Sequence, residues 1–404
     1  MTDDLSRLAI FGGVPGFSEQ LHVGRPNIGN REHLMARINS LLDRRWLSNY
    51  GPYVQELEQR LAEFIGVRHC IAMCNATIAL EILIRALGLK GEVIVPSFTF
   101  VATAHALQWQ DITPVFCDID PLTHNLDPKR VLKALTPRTS GIVGVHVWGR
   151  PCNIDALSEI AKSHSLKLVF DSAHALGCSY KGAMIGGFGD AEVFSFHATK
   201  FFNSFEGGAI VTNDDELAGK IRLMQNFGFA GYDEVVSIGT NGKMSEVSAA
   251  MGLVSLESLN DFIDTNRSNY DVYQRRLVGI PGLTLLTYDE NEKCNYQYVV
   301  VEVDDSKTGV SRDQLMEILW AENVLARRYF YPGCHHMEPY RSYFPEGLPL
   351  PETEELVNRV LVLPTGTAVS TDDVTKLCGI IKTVITNGKL IRERLENELR
   401  GVAP

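Results

Sequence analysis

No stretch of the 404-residue chain approaches the about 18 consecutive apolar residues that a membrane-spanning helix needs. The opening residues, MTDDLSRLAIFGG, are acidic early and lack the apolar core of a secretory leader. A cytoplasmic protein with no membrane partner is therefore expected. Basic charge is also in short supply: 38 Lys and Arg face 49 Asp and Glu, for a formal net charge of -11. Without a basic surplus to neutralise phosphates, no nucleic-acid partner is expected, although a local basic pocket for one small anion stays open. The eight cysteines, at 70, 74, 117, 152, 178, 294, 334 and 378, form no CxxC pair and read as reduced thiols. Only His69 stands beside Cys70 and Cys74, so no metal is expected. The familiar nucleotide and hydrolase signatures are missing as well. There is no GxxxxGK[ST], HExxH or GxSxG, and Gly186-Gly187-Phe188-Gly189 precedes a strand instead of linking strand to helix.

What is present is alternation. YVQELEQRLAEFI (53–65) is amphipathic at helical spacing, and after a polar turn CNATIALEILIRALGL fits a helix starting near Ala76. Short β-rich runs then alternate with helical stretches: EVIVPS, TPVFCDI, GIVGVHVW, LKLVFDSA, AEVFSFH and GAIVTN are the runs. Strands apolar on both faces and separated by amphipathic helices predict an α/β fold, a mostly parallel sheet covered by helices. Apolar spacing from Ser245 to about Leu277 predicts one long helix broken near Asn266. Beyond it, YQYVVVEV, RDQLMEILWAENV and the stretch from Glu354 onward read as a smaller α+β unit. The expected division is 1–265, with the N-terminal segment included, and 266–404.

Polar residues gather where the strands end. Asp171 follows LKLVF, at the carboxyl end of a buried strand, where α/β proteins place their ligand crevice. A lone Asp there also serves as a turn or helix cap. His174, in the same loop, could equally be a hydrogen-bonded structural histidine. Ser195 and Lys200 close AEVFSFH. Asn75-Ala76-Thr77 opens a helix whose amides and hydroxyl suit an anion, or Asn75 and Thr77 simply cap it. Each feature is weak alone. Jointly they meet the needs of pyridoxal 5'-phosphate (PLP): a lysine for its aldehyde, an acid for its pyridine nitrogen, donors for its phosphate and a flat wall for its ring.

Five spaced motifs carry a resemblance. PSFTFVATAHA (96–106), FDSAHALG (170–177), SFHATK (195–200), EGGAIVTND (206–214) and GKMSEVSAAMG (242–252) resemble the DegT/DnrJ/EryC1/StrS aminotransferases. These are sugar-nucleotide enzymes of PLP fold type I, and the likeness runs in order from about residue 8 past residue 340. It implies a seven-stranded-type sheet with helices on both faces. It makes Lys200 the lysine that bonds the cofactor, sets Asp171 on the pyridine nitrogen, and puts His174 beside the ring hydroxyl. Phe100 takes the stacking position, and Ala76, Thr77 and Ser195 hold the phosphate. Lys243 would reach the phosphate bound by a neighbouring subunit, with Asn241 beside it in the same loop, so a homodimer with shared sites is implied. One departure stands out: many members carry Asn directly after the lysine, whereas this chain has Phe201-Phe202 and then Asn203.

The expectation is transfer of an amino group from an amino acid, L-glutamate, to a keto-sugar nucleotide. The LAIFGGVPGF pattern resembles members from deoxysugar and antibiotic pathways, and favours a dTDP-4-keto-6-deoxyhexose with the C3 or C4 position open. Two alternatives are a cyclitol or aminobenzoate-type substrate on the same fold, and a non-catalytic binding or regulatory member.

Overall fold

The computed structural model describes residues 5–343 and 347–399. Its centre is a seven-stranded sheet in the order His69–Met73, Gly208–Thr212, Ala191–Ser195, Lys167–Asp171, Thr139–Val145, Glu92–Pro96, Thr113–Cys117. Gly208–Thr212 runs antiparallel to both neighbours, and the remaining pairs are parallel. The interior strands are short and apolar at successive positions, as a sheet covered on both sides requires. Ile94, Ile142, Phe170 and Phe194 face one side, where Leu57, Leu61 and Leu157 pack on them. Val93, Val143, Val169 and Val193 face the other, against Leu80, Leu83, Leu107 and Ile221. Each such side chain contributes roughly 1.5–3 kcal/mol by burial. A slip of one residue would exchange the two faces, so the register is strongly specified.

A smaller antiparallel sheet, Leu283–Leu285, Val299–Val303 and Val360–Leu363, packs with the helices Arg312–Ala321 and Thr371–Thr386. Here the packing departs from expectation. Leu5, Leu8, Phe17 and Leu21 join this C-terminal core and not the large sheet. Leu21–His22 adds a short parallel pairing with Val324–Leu325. The buried Glu322 carboxylate accepts from the backbone N of Ala9 (2.7 Å) and of Gly16 (2.6 Å). The N-terminal segment follows its apolar residues and these backbone anchors.

Three further differences from the sequence reading have simple causes. HCIAM (69–73), where the sequence predicts a polar turn, is an edge strand with four of its residues buried. Residues Arg31–Arg44 form a helix capped by Asn30, whose Oδ1 accepts from Glu32 N and His33 N. The helix expected from 245 to 277 breaks at Ser258 and not near Asn266, giving Glu246–Glu257 and Leu259–Leu277. Asn266 is fully buried within the second helix and donates its side-chain N–H to Asn295 O at 3.0 Å, so the residue suspected of breaking the helix holds it to a neighbouring loop. The expected 265/266 division falls inside this helix. Phe98, Val145 and Trp148, from strand ends of the large sheet, meet Tyr298, Val300, Phe330 and Val362 in an aromatic seam between the two sheets. Among the described residues, no helix is long and apolar enough to cross a membrane.

Candidate active site

The parallel strands release their carboxyl ends toward that seam. Asp171 is the last residue of its strand and is only 7% exposed. Its Oδ2 accepts from Thr103 Oγ1 at 2.8 Å and its Oδ1 from Ala173 N at 3.1 Å. Burial raises its pKa, while these two hydrogen bonds and the nearby Lys200 charge act in the opposite direction. Thr103 in turn lies 3.1 Å from Thr99 Oγ1. Behind the strand, His146 N donates to Asp171 O at 3.1 Å, and the His146 ring stacks on Phe170 with centroids 4.6 Å apart. His146 Nε2 lies 3.6 Å from Glu192, whose oxygens accept from the Ser172 hydroxyl and from the backbone N of Gly186 and Phe188.

Lys200 sits in the turn after the strand Ala191–Ser195, its N donating to His197 O at 2.8 Å. Phe201 and Phe202, both buried, and a bond from Phe201 N to Gln297 Oε1 (3.2 Å) pin the chain beyond it. The residue is half-buried, and its Nζ lies 3.3 Å from Tyr298 Oη. Desolvation pulls the amine down from 10.5 to about 8, against the opposing influence of Asp171 and Tyr329. Tyr298 also lies against His174, ring centroids 4.5 Å apart. His174 accepts from Trp148 N at Nδ1 (3.2 Å), and its ring runs nearly parallel to Trp148 and Phe330. Burial and the Lys200 charge hold its pKa well below 6.5, so it stays neutral. Its carbonyl is fixed by Asn295 and Gln297 side chains.

The expected phosphate residues come together through sheet register. Gly208 pairs with Ser195 on one side and Met73 on the other, beside the start of helix Ala76–Ala86. A Cβ added at Gly208 would lie 2.8 Å from Ala76 N, so only glycine lets the strand approach this helix end. Asn75 Oδ1 accepts from Ile78 N at 2.8 Å, and the helix start offers further backbone N–H groups to an anion. Ala76, Thr77 and Ser195 are all half-buried here. A buried carboxylate, a depressed amine and an open helix start thus fit the pyridine, aldehyde and phosphate of PLP.

Other expected residues stand apart. Phe100 is 61% exposed, on the loop leading into Thr103's helix. Lys243 bridges Met73 by its backbone, while its Nζ donates to Asn226 Oδ1 at 2.9 Å and lies over the Phe227 ring. Burial lowers its pKa. Asn241 is exposed and pairs with Asn226. Asn203, the first asparagine after Lys200, is buried and donates its side-chain N–H to Asn27 O (2.9 Å). Its amide is committed to structure. Sequence reasoning missed Thr103, Trp148, Tyr298 and Phe330. Of these, Thr103 lies within one of the five motifs, PSFTFVATAHA, while Trp148 and Tyr298 lie within the strand-like runs GIVGVHVW and YQYVVVEV.

This geometry has close counterparts. The chain is 36% identical over 363 residues to a dTDP-4-amino-4,6-dideoxy-D-glucose transaminase from Escherichia coli, covering 89% of this chain and 97% of that protein. The crystal structure of DesI, analysed in the presence of its TDP-sugar product, superimposes with a TM-score of 0.93 at 52% identity, over 97% of this chain and all of DesI. DesV from S. venezuelae, solved in complex with a ketimine intermediate, gives a TM-score of 0.82 at 30% identity over 88% of this chain and 95% of DesV. Residues 29–382 match the family as a whole: the chain belongs to the DegT/DnrJ/EryC1/StrS aminotransferases.

Proposed function

We propose that this aminotransferase carries PLP and aminates C4 of a dTDP-4-keto-6-deoxyhexose, with L-glutamate as donor. The Escherichia coli relative's name supports position 4, and the DesI product supports a TDP-sugar. The observation that carries the reading is the pairing of Lys200, its amine lowered to about 8, with the buried Asp171 carboxylate at neighbouring strand ends.

In this reading Lys200 would bond the cofactor aldehyde, Asp171 would accept from the pyridine N–H, and His174 would stand by the ring hydroxyl. Thr77, Ser195 and the backbone at Ala76 take the phosphate, with Phe100 as the stacking ring. Bound there, PLP supplies an electron sink for the charge that develops at the amino acid's α-carbon. Lys200 would take the proton from that carbon and deliver it to the carbon that bore the aldehyde; an amine near 8 has a sizeable neutral fraction at neutral pH and still protonates readily. The Tyr298 hydroxyl, within 3.3 Å of Nζ, orients the amine. Trp148, Tyr298 and Phe330 exclude water on one side. Lys243 and Asn241 are assigned to the phosphate of a partner subunit in a homodimer. A cytoplasmic setting suits eight free thiols.

The test combines labelling with turnover. Protein reconstituted with PLP and reduced with borohydride should carry the label on the Lys200 peptide. With glutamate and dTDP-4-keto-6-deoxyglucose it should then release 2-oxoglutarate and a 4-amino sugar nucleotide. A label on another lysine removes the site assignment. Correct labelling with turnover only on a cyclitol or an aminobenzoate precursor removes the sugar.

A further inference from the structure

We propose that His335, His336 and Glu354 form a binding site for one divalent transition-metal ion of zinc-like chemistry, apart from the Lys200 centre. Nε2 of His335 and Nε2 of His336 each lie 3.6 Å from the same oxygen, Glu354 Oε1. All three ligand atoms fall within 4.8 Å of one another. A separation of 3.6 Å is too long for a hydrogen bond. It is close to the roughly 3.3–3.5 Å edge of a tetrahedron whose metal–ligand bonds are about 2.0–2.1 Å.

The environment of each ligand favours an ion over a plain ion pair. His335 is 3% exposed, and its Nε2 has no hydrogen-bond partner. A buried ring nitrogen left in that state carries an uncompensated desolvation cost. Its other nitrogen, Nδ1, sits 2.6 Å from Ser97 Oγ. With Nδ1–H donating to that hydroxyl, the Nε2 lone pair points toward Glu354, the arrangement by which a neighbouring group orients a metal-binding histidine. The two imidazole centroids are only 4.0 Å apart, so protonating both to pair with one carboxylate would set like charges together. A single ion satisfies both lone pairs.

Both halves are anchored without the ion. The backbone N of Cys334 donates to Ser97 O at 3.0 Å, and its thiol to Thr99 O at 3.4 Å, holding the turn that carries the histidines. Asp118 accepts from the backbone N of Glu352 and Thr353 and from the Thr353 hydroxyl, fixing the start of helix Pro351–Arg359 on which Glu354 stands. Two imidazoles and one carboxylate suit Zn2+, Co2+ or Ni2+, whereas Mg2+ and Ca2+ prefer oxygen alone. Three protein ligands leave one tetrahedral position for water. The His336 and Glu354 side chains are 44% and 47% exposed, so an ion can enter from solvent. The bound ion would tie the turn after Phe330 to helix Pro351–Arg359.

The experiment uses full-length, PLP-loaded protein stripped of metal and titrated with Co2+ and Zn2+ chloride. Wild type should bind one equivalent per chain, with cobalt d–d absorption and no thiolate charge-transfer band. Zn2+ should raise its Tm. His336→Ala and Glu354→Gln should each lose the one-equivalent phase while keeping wild-type circular dichroism and PLP content. Ser97→Ala, which removes the hydroxyl that meets Nδ1 and also accepts from His335 N at 3.1 Å, should weaken affinity about 10–100-fold. The proposal is overturned by failure of wild type to bind stoichiometrically, by equal binding in wild type and both ligand variants, or by a thiolate band.

Discussion

Lys200 shows how far surroundings can move one functional group. An ordinary lysine is charged at pH 9; this one loses its proton near 8 because burial penalises the ammonium more than Asp171 and Tyr329 favour it. Only the neutral amine attacks an aldehyde, so the rate at which cofactor-free protein captures PLP should rise with pH through a midpoint near 8. A stopped-flow pH series checks this, and a midpoint near 10.5 would refute the assignment. The same depression has a stability consequence of definite sign. Between about 8 and 10.5 the unfolded chain still holds the proton that the folded chain has lost, so cofactor-free protein gains stability as pH rises through that window. Lys200, Asp171 and His174 stand out in the sequence because each lies at or within a few residues of an apolar strand's end, where a polar residue is conspicuous. Tyr298 and Phe330 do not. They lie within or near apolar stretches of the C-terminal unit, and only the folded chain brings them to Lys200 and His174.

At the scale of elements, the critical junction is where Gly208–Thr212 meets the start of helix Ala76–Ala86. Gly208→Ala would set a methyl 2.8 Å from both Ala76 N and Phe194 O, backbone atoms that cannot swing aside. The expected cost is about 1–3 kcal/mol, with weakened retention of PLP because the phosphate end shifts. Gly219→Ala is the control: it lies in the helix Asp215–Gln225, has nothing within 4 Å of the added carbon, and should be neutral or slightly stabilising. Equal Tm and PLP occupancy in the two variants would remove the close-approach argument. The alternating strands and helices of the large sheet were readable because their periods and lengths differ sharply. The edge strand His69–Met73 was not, since its polar flanks mimic a turn and its pairing partner, Gly208–Thr212, lies far along the chain. The break at Ser258 was hidden for a related reason: no glycine or proline marks it, and Ser258 caps the preceding helix with its N–H on Val254 O.

At the scale of the whole molecule, the proposed homodimer makes Lys243 and Lys200 a testable pair. Within one chain Lys243 already has partners in Asn226 and Phe227. In a shared-site dimer, Lys200→Ala and Lys243→Ala subunits combine to give one site with both lesions and one with neither. Activity should therefore return partly after subunit exchange, up to about half of the mixed dimers' sites being intact. No recovery after exchange, verified by tagged pull-down, would place Lys243 in service of its own subunit.

The weaving of the first residues into the last core also dictates a schedule. Leu5, Leu8, Phe17 and Leu21 are synthesised before the large sheet, yet the core they join includes Val374, Leu377 and Ile381, synthesised after it. The large sheet has all seven strands once residue 212 is synthesised, while residues 5–21 must wait for Val374, Leu377 and Ile381 to complete the core they join. Completing this core is therefore a ring closure between segments far apart in the chain, slow in the way that contacts of long sequence separation are slow.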